Sequence, residues 1–223
     1  MAIVGINGIG KSTLLRTLAR LQPQLSGEIK IQEKLLEKYQ LKELASILSV
    51  VLTDSIASKN MTVVELVATG RQPYTNWIGN LSATDTIKIQ EAVRMMELQD
   101  LKNKKCYELS DGQLQRVMIA RALAQDTAII LLDEPTSHLD LHHKVQILKL
   151  LKAIAHKTKK LIVYTSHEIE IAIQLCDKML VLDGVNNAFE KPSELINQGV
   201  FENLFPSKNV SFDAQTATFQ IKE

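Results

Sequence analysis

One stretch constrains the fold of this chain more than any other: Gly5-Ile6-Asn7-Gly8-Ile9-Gly10-Lys11-Ser12 fits the spacing G-x-x-x-x-G-K-[ST]. It directly follows the apolar run Ala2 to Ile6 and directly precedes Thr13 to Leu21, which reads as a helix. In a strand, turn and helix so ordered, successive backbone N–H groups point inward at phosphate oxygens, and the helix N-terminus adds positive potential. The pattern predicts that Lys11 reaches β- and γ-phosphates and that Ser12 ligates magnesium. Gly5, Asn7, Gly8, Gly10 and Thr13 join them as candidate nucleotide-binding residues.

Three further short apolar runs recur at Ile129 to Leu132, Leu161 to Tyr164 and Met179 to Leu182. None alternates, and most are rich in β-branched side chains, which suits strands buried on both faces of a parallel sheet. Leu141 to Lys157 places Val145, Leu148, Leu151 and Ala155 on one helical face with lysines opposite. Strand, helix, strand in succession makes the class α/β. The 223 residues suit one domain with an inserted subdomain, and a 45% apolar share can fill a core.

Between about Asn60 and Gln125 the pattern changes to helix after helix. Thr62 with Glu65 and Ser82 with Asp85 have the spacing of capping boxes, and Gly70 is placed to end the first of these helices. The reading is therefore a core of 1–56 and 126–190, an all-helical insert of 57–125, and a polar tail of 191–223 that carries a late alternating run at Ala217 to Ile221.

Charge excludes some classes. Lys and Arg total 26 against 25 Asp and Glu, so a net charge of +1 supplies no field to gather nucleic acid or an anionic membrane. Cys106 and Cys176 stand far apart with no CxxC spacing, which suggests neither a disulfide framework nor a zinc site and suits a reducing cytoplasm. No run approaches the ~18 apolar residues needed to span a bilayer. His138 and His142 have i, i+4 spacing, but Leu-Asp-Leu between them lacks the glutamate of HExxH.

Ile129-Ile130-Leu131-Leu132-Asp133-Glu134-Pro135 supplies the partner of the glycine loop. An apolar strand ending in two carboxylates presents them at the carboxyl edge of the sheet, where open α/β folds bind ligands. Asp133 is expected to orient magnesium and Glu134 to polarise the attacking water.

Leu109-Ser110-Asp111-Gly112-Gln113, Ser137-His138-Leu139-Asp140 and Thr165-Ser166-His167-Glu168 complete a series of five motifs that resembles the ATP-binding cassette family. The resemblance implies a P-loop NTPase, RecA-like core with a parallel sheet and a helical insert, binding ATP and Mg2+ and hydrolysing ATP. It assigns His167 to the γ-phosphate, Asp140 to communication across a dimer, and Ser110, Gly112 and Gln113 to the ATP of an opposing copy. Two ATPs would then join a head-to-tail homodimer. Ser110 and Gln113 also have capping-box spacing, yet Gly112 in a first helical turn costs about 1 kcal/mol relative to Ala, which suggests close approach of something else there.

Three departures stand out. The signature reads LSDGQ where LSGGQ is commoner, adding the charge of Asp111. The family's glutamine at the end of the strand before the insert is replaced, in Ser49-Val50-Val51-Leu52-Thr53, by Thr53, so Thr53 or the adjacent Asp54 is expected to contact the metal through water. The chain also starts in the phosphate-loop strand, without the usual strand pair and its adenine-stacking aromatic. Truncation is the expectation drawn from this, with ATP affinity weakened by tens-fold or so if stacking worth about 1 to 3 kcal/mol is lost.

Met61 to Tyr74, MTVVELVATGRQPY, resembles the insert of importer ATPases that serve iron-siderophore, haem and cobalamin uptake. By that resemblance the chain docks on the cytoplasmic face of the membrane against integral permease subunits near Thr53, is linked only indirectly to a substrate-binding protein, and engages no nucleic acid. A soluble cassette ATPase acting on nucleic acid or the ribosome is the alternative, against which stand the absence of a heptad tract and of a second phosphate loop. A weakly hydrolysing remnant is a third reading.

Overall fold

The computed structural model describes residues 1–53, 59–202, 204 and 209–221. Strand β1 (Ala2–Gly5) leads through the glycine loop into helix α1 (Lys11–Leu18). A small hairpin of β2 (Lys30–Ile31) and β3 (Lys34–Leu35), helix α2 (Leu41–Ile47) and strand β4 (Leu48–Val51) follow. Helices α3 (Val63–Ala68), α4 (Ala83–Met95) and α5 (Asp111–Ala124) come next. Strand β5 (Ile129–Leu132), helix α6 (Leu141–Thr158), strand β6 (Leu161–Ser166), helix α7 (Ile169–Leu175) and strand β7 (Met179–Leu182) then alternate. Strand β8 (Ala188–Glu190), helix α8 (Pro192–Asn197) and an antiparallel hairpin of β9 (Val210–Asp213) and β10 (Thr218–Ile221) complete the order.

The central sheet runs β4-β5-β6-β1-β7-β8, parallel except for β8, which pairs antiparallel with β7. Neighbouring strands are in step, with Leu132 beside Val51 and Tyr164, and Ala2 beside Tyr164 and Met179. Because the strands are parallel and aligned, the segments leaving β4, β5, β6 and β1 emerge side by side at one edge. Those segments begin the Thr53 stretch, the Asp133-Glu134 pair, the His167 turn and the glycine loop.

Both faces of the sheet are covered, which explains the unbroken apolar runs. Ile3, Leu48, Leu131, Val163 and Leu182 pack with Leu15 of α1 and Leu44 of α2 on one side. The alternate positions, Val4, Val51, Ile130, Leu132, Ile162 and Val181, join Val117 and Ile119 of α5 and Leu148 and Leu151 of α6 on the other. That second cluster continues without interruption into Val63, Leu66 and Val67 of α3 and Ile89 and Val93 of α4. The helical segment therefore shares its core with one face of the sheet through α5.

Its helices start where the sequence places their caps. Thr62 accepts the Glu65 N–H at 3.3 Å while Glu65 accepts the Thr62 N–H at 2.7 Å, and Ser82 and Asp85 repeat the exchange at 3.2 and 2.8 Å. Gly70 departs from its expected role. Helix α3 ends at Ala68 and the chain continues as a tight 3-10 turn through Tyr74, with no positive φ at Gly70. A Cβ there would stand 2.1 Å from the Arg121 carbonyl oxygen, so this glycine permits close approach to α5 instead of ending a helix. No helix among the described residues is long and apolar enough to cross a membrane.

Candidate active site

Gly8 and Gly10 adopt φ of 80° and 104°, left-handed values that L side chains rarely tolerate, and a Cβ on either would meet nothing within 4 Å. At Gly5 the demand is steric, since a Cβ would lie 2.4 Å from the Leu182 carbonyl oxygen. Helix α1 begins without a side-chain cap, and its first turn closes with the Leu14 N–H on the Gly10 carbonyl at 2.8 Å. The amides of Lys11, Ser12 and Thr13 precede that bond and have no acceptor within the helix. They form a cradle of donors, which suits an anion with several oxygens.

Lys11 is buried, and its Nζ donates to the carbonyls of Gly5 at 2.9 Å and Ile6 at 3.1 Å. Burial lowers its pKa from the ordinary lysine value, against the opposing influence of Glu134 and Asp133. The ammonium is thus held within the loop by weak acceptors that a phosphate oxygen can outbid. Asn7 and Thr13 lie exposed at the rim of the loop and of the helix start.

Ser12 Oγ donates to Asp133 Oδ1 at 2.8 Å, joining the glycine loop to the end of β5. Thr165, buried in β6, donates to the same Oδ1 at 2.8 Å and accepts the Glu134 N–H at 2.8 Å. Asp133 Oδ2, by contrast, is buried and has no hydrogen-bond partner. An orphaned carboxylate oxygen beside a serine hydroxyl is the donor set a hard divalent cation takes, so these residues fit Mg2+.

Glu134 itself sits at φ 45°, and its carbonyl accepts from the Ser137 N–H at 3.1 Å and the Ser137 hydroxyl at 3.0 Å. Its backbone is pinned from both sides, which offsets the cost of a left-handed conformation. The carboxylate points toward His167, with Oε2 3.7 Å from Nδ1, beyond hydrogen-bond range but close enough for one water or reacting group to touch both. An open cleft of about 300 Å3 adjoins Glu134, lined among others by Leu52, Thr53, Asp111, Asp133 and His138. Thr53 therefore shares a cleft with the carboxylates; Asp54, named with it as a candidate metal contact, lies outside the described residues.

The remaining predicted residues form a second group. Ser110 and Gln113 satisfy each other in a capping box, with Gln113 Oε1 accepting the Ser110 N–H at 3.1 Å. Gly112 is buried, and a Cβ on it would make only ordinary contact with His143 and Leu139, at 3.5 Å or more. Nothing among the described residues demands glycine at that position. Asp111 occupies the first helical position of α5, where a negative charge is favourable. Asp140 caps α6 through the His143 N–H at 2.9 Å. His138 lies in the preceding loop at φ 65°, and His142 packs edge-on against His143. Among the described residues, no hydrogen bond links Ser110, Gly112, Gln113 or Asp140 to the Lys11, Ser12 and Asp133 group, so within one copy the predicted residues divide into two sets.

Sequence reasoning missed two residues here. Thr165 looks like any β-branched strand residue, and His143 looks like one more polar position on an amphipathic helix. Only the motifs TSHE and SHLD hinted that their neighbourhoods mattered.

A glycine cradle, a carboxylate poised for a divalent ion and a glutamate facing a histidine define a nucleoside-triphosphate hydrolase. Comparison with known proteins makes this specific. A model of the ABC transporter family matches residues 1–137. An uncharacterised ABC transporter ATP-binding protein of Methanocaldococcus jannaschii is 37% identical over 223 residues, covering 100% of this chain and 77% of the relative. A petrobactin import ATP-binding protein of Bacillus subtilis is 38% identical, covering 92% and 81%, and the ferric enterobactin transport ATP-binding protein of Escherichia coli is 32% identical, covering 97% and 80%. Among solved structures, a transporter described as of the metal-chelate type, in an inward-facing conformation, superposes with a TM-score of 0.79 at 27% identity, covering 98% of this chain and 82% of its own. A dimeric ATP-binding cassette bound to ADP and Pi superposes at 0.70 with 30% identity, covering 86% and 84%. The chain belongs to the ABC transporter family, as an ATPase with the P-loop NTPase fold.

Proposed function

We propose that this chain is the ATP-hydrolysing subunit of an importer that takes up an iron-chelate substrate of the siderophore type through a separate membrane permease. The observation that carries the catalytic part is the Ser12 to Asp133 hydrogen bond at 2.8 Å beside an orphaned Asp133 Oδ2, which fits a metal-nucleotide site at the edge shared by four strands. The import part is supported by relatives named for petrobactin import and ferric enterobactin transport, and by a structural neighbour of the metal-chelate type.

In this reading the protein positions groups and offsets charge, as phosphoryl transfer requires. The amides of Gly8 to Ser12 hold the phosphates, and Lys11 leaves the Gly5 and Ile6 carbonyls for the β- and γ-oxygens. Ser12 and Asp133 would hold Mg2+, with Thr53 at the margin of the site; the bound ion would neutralise charge on the phosphate oxygens. Glu134 accepts a proton from the attacking water, and His167 donates to the γ-phosphate. Ser110, Gly112, Gln113 and Asp140, standing apart from the Lys11 group, act on the nucleotide of a second copy, giving a homodimer closed by two ATPs. The dimer works on the cytoplasmic face of the membrane, bound to permease subunits and coupled through them to a substrate-binding protein.

The test is reconstitution with the iron-chelate permease of the same cell in proteoliposomes. Expected are co-purification, MgATP-dependent uptake of a labelled ferric siderophore, and loss of uptake in Glu134→Gln. A chain that hydrolyses ATP but neither binds the permease nor supports uptake would overturn the importer reading.

A further inference from the structure

Among the described residues no hydrogen bond joins Gly112 to Asp140, yet one side chain bonds Asp140 and lies beside Gly112. His143, in the first turn of α6, donates its backbone N–H to Asp140 Oδ1 at 2.9 Å, and its ring Nδ1 lies 2.7 Å from Asp140 Oδ2. A helix cap needs only the first of these bonds. The second engages the other carboxylate oxygen, so Asp140 is held at both oxygens by one residue.

The imidazole also lies beside the signature turn. Ring carbons Cδ2 and Cγ stand 3.5 and 3.7 Å from where a Cβ of Gly112 would lie, next to Leu139 Cδ2 at 3.6 Å. Helix α5 starts at Asp111 and helix α6 at Leu141, so His143 is bonded to the cap of its own helix and lies close to the first turn of the other. With its side chain 49% exposed, it is not a core residue held there by burial alone.

We propose that His143 is a positioning residue of the dimeric ATPase, locking the Asp140 carboxylate and the Gly112 turn into one edge that meets the second copy. This rests on the nucleotide-sandwich dimer described above. Groups ordered before association do not have to be ordered during it, so the lock favours dimer closure without touching the chain's own nucleotide.

The test uses the full chain in a Glu134→Gln background, with MgATP-driven dimerisation followed by light scattering and nucleotide affinity by titration of a fluorescent ATP analogue. His143→Ala is expected to weaken dimerisation tenfold or more while nucleotide affinity stays within twofold. His143→Asn, whose amide nitrogen falls where Nδ1 stands, is expected to recover to within threefold of the parent. Dimerisation that survives His143→Ala, a parallel loss of nucleotide affinity, or an Asn variant as weak as Ala would each overturn the proposal. A parent that binds nucleotide but never dimerises would overturn the sandwich reading itself, and the lock with it.

Discussion

The hydroxyl of Thr165 donates to Asp133 Oδ1 at 2.8 Å across 32 residues of sequence, and the same hydroxyl accepts the Glu134 N–H. One buried side chain thus fixes the Asp133 carboxylate and the Glu134 backbone. Thr165→Val keeps the shape and removes both bonds, leaving the Glu134 amide without its acceptor. An unsatisfied buried donor costs about 1 to 3 kcal/mol. The expected result is a kcat lowered tenfold or more with KM for ATP changed little, and recovery of most activity in Thr165→Ser, read by steady-state phosphate release.

Lys11 presents a trade between stability and binding. Its ammonium is buried against two carbonyls, and burial lowers its pKa. Lys11→Met removes a desolvated charge and keeps the aliphatic stem. The nucleotide-free Tm is therefore expected to stay equal or rise, while the Tm increase on adding MgATP disappears. That increase reports about 2.7 kcal/mol for a ligand at one hundred times its Kd, so its loss is readily measured by calorimetry. A fall in the nucleotide-free Tm would show that Lys11 holds the loop together instead.

The edge loops were legible because each follows a strand whose apolar run is visible in sequence: Gly5 to Ser12 after Ala2 to Gly5, Asp133 and Glu134 after Ile129 to Leu132, His167 after Leu161 to Ser166. Strand β8 was not, since three residues with Phe189 half exposed carry no periodicity. In the tail, the alternating run at Ala217 to Ile221 marked β10, but its partner β9, Val210-Ser211-Phe212-Asp213, alternates over only four residues, too few to stand out in a polar stretch. Thr165 and His143 were hidden for another reason. Their importance lies in contacts made across 32 residues or between two helix starts, and such contacts leave no local pattern.

The helical segment contains a buried ion pair whose charge state can be tested with acid. Arg71 Nε donates to Asp85 Oδ1 at 2.8 Å, Arg71 also donates to the Ala124 carbonyl at 2.8 Å, and its guanidinium lies 4.0 Å from the Tyr74 ring centroid. Hydrogen bonds from the Ser82 hydroxyl and N–H, with that of Arg71, lower the Asp85 pKa to about 2. A carboxylate depressed in the folded state stabilises above its unfolded pKa and loses that contribution as pH falls through the folded one. The stabilisation by Asp85 is therefore complete above about pH 4 and vanishes toward pH 2. Arg71→Leu, which leaves the buried carboxylate only its Ser82 bonds and no counter-charge, is expected to cost about 3 kcal/mol at pH 7. The penalty measured by urea unfolding should shrink as pH approaches 2, and a penalty independent of pH would assign it to lost packing.

Two buried glycines should respond oppositely to the same substitution. A Cβ at Gly70 would sit 2.1 Å from the Arg121 carbonyl, so Gly70→Ala forces α5 away from the turn after α3. A loss of about 3 kcal/mol in unfolding free energy is expected, at the upper end of overpacking costs. At Gly112 the added methyl finds ordinary contact with His143 and Leu139, and alanine is the better helix former by about 1 kcal/mol. Gly112→Ala is therefore expected to leave stability equal or higher. If the opposing copy's nucleotide is what approaches this turn, the same variant loses ATPase activity at least tenfold while still binding nucleotide. Denaturant melts together with phosphate-release rates separate the two effects, and a Gly112→Ala protein of full activity would mean that the glycine serves no approach from outside the chain.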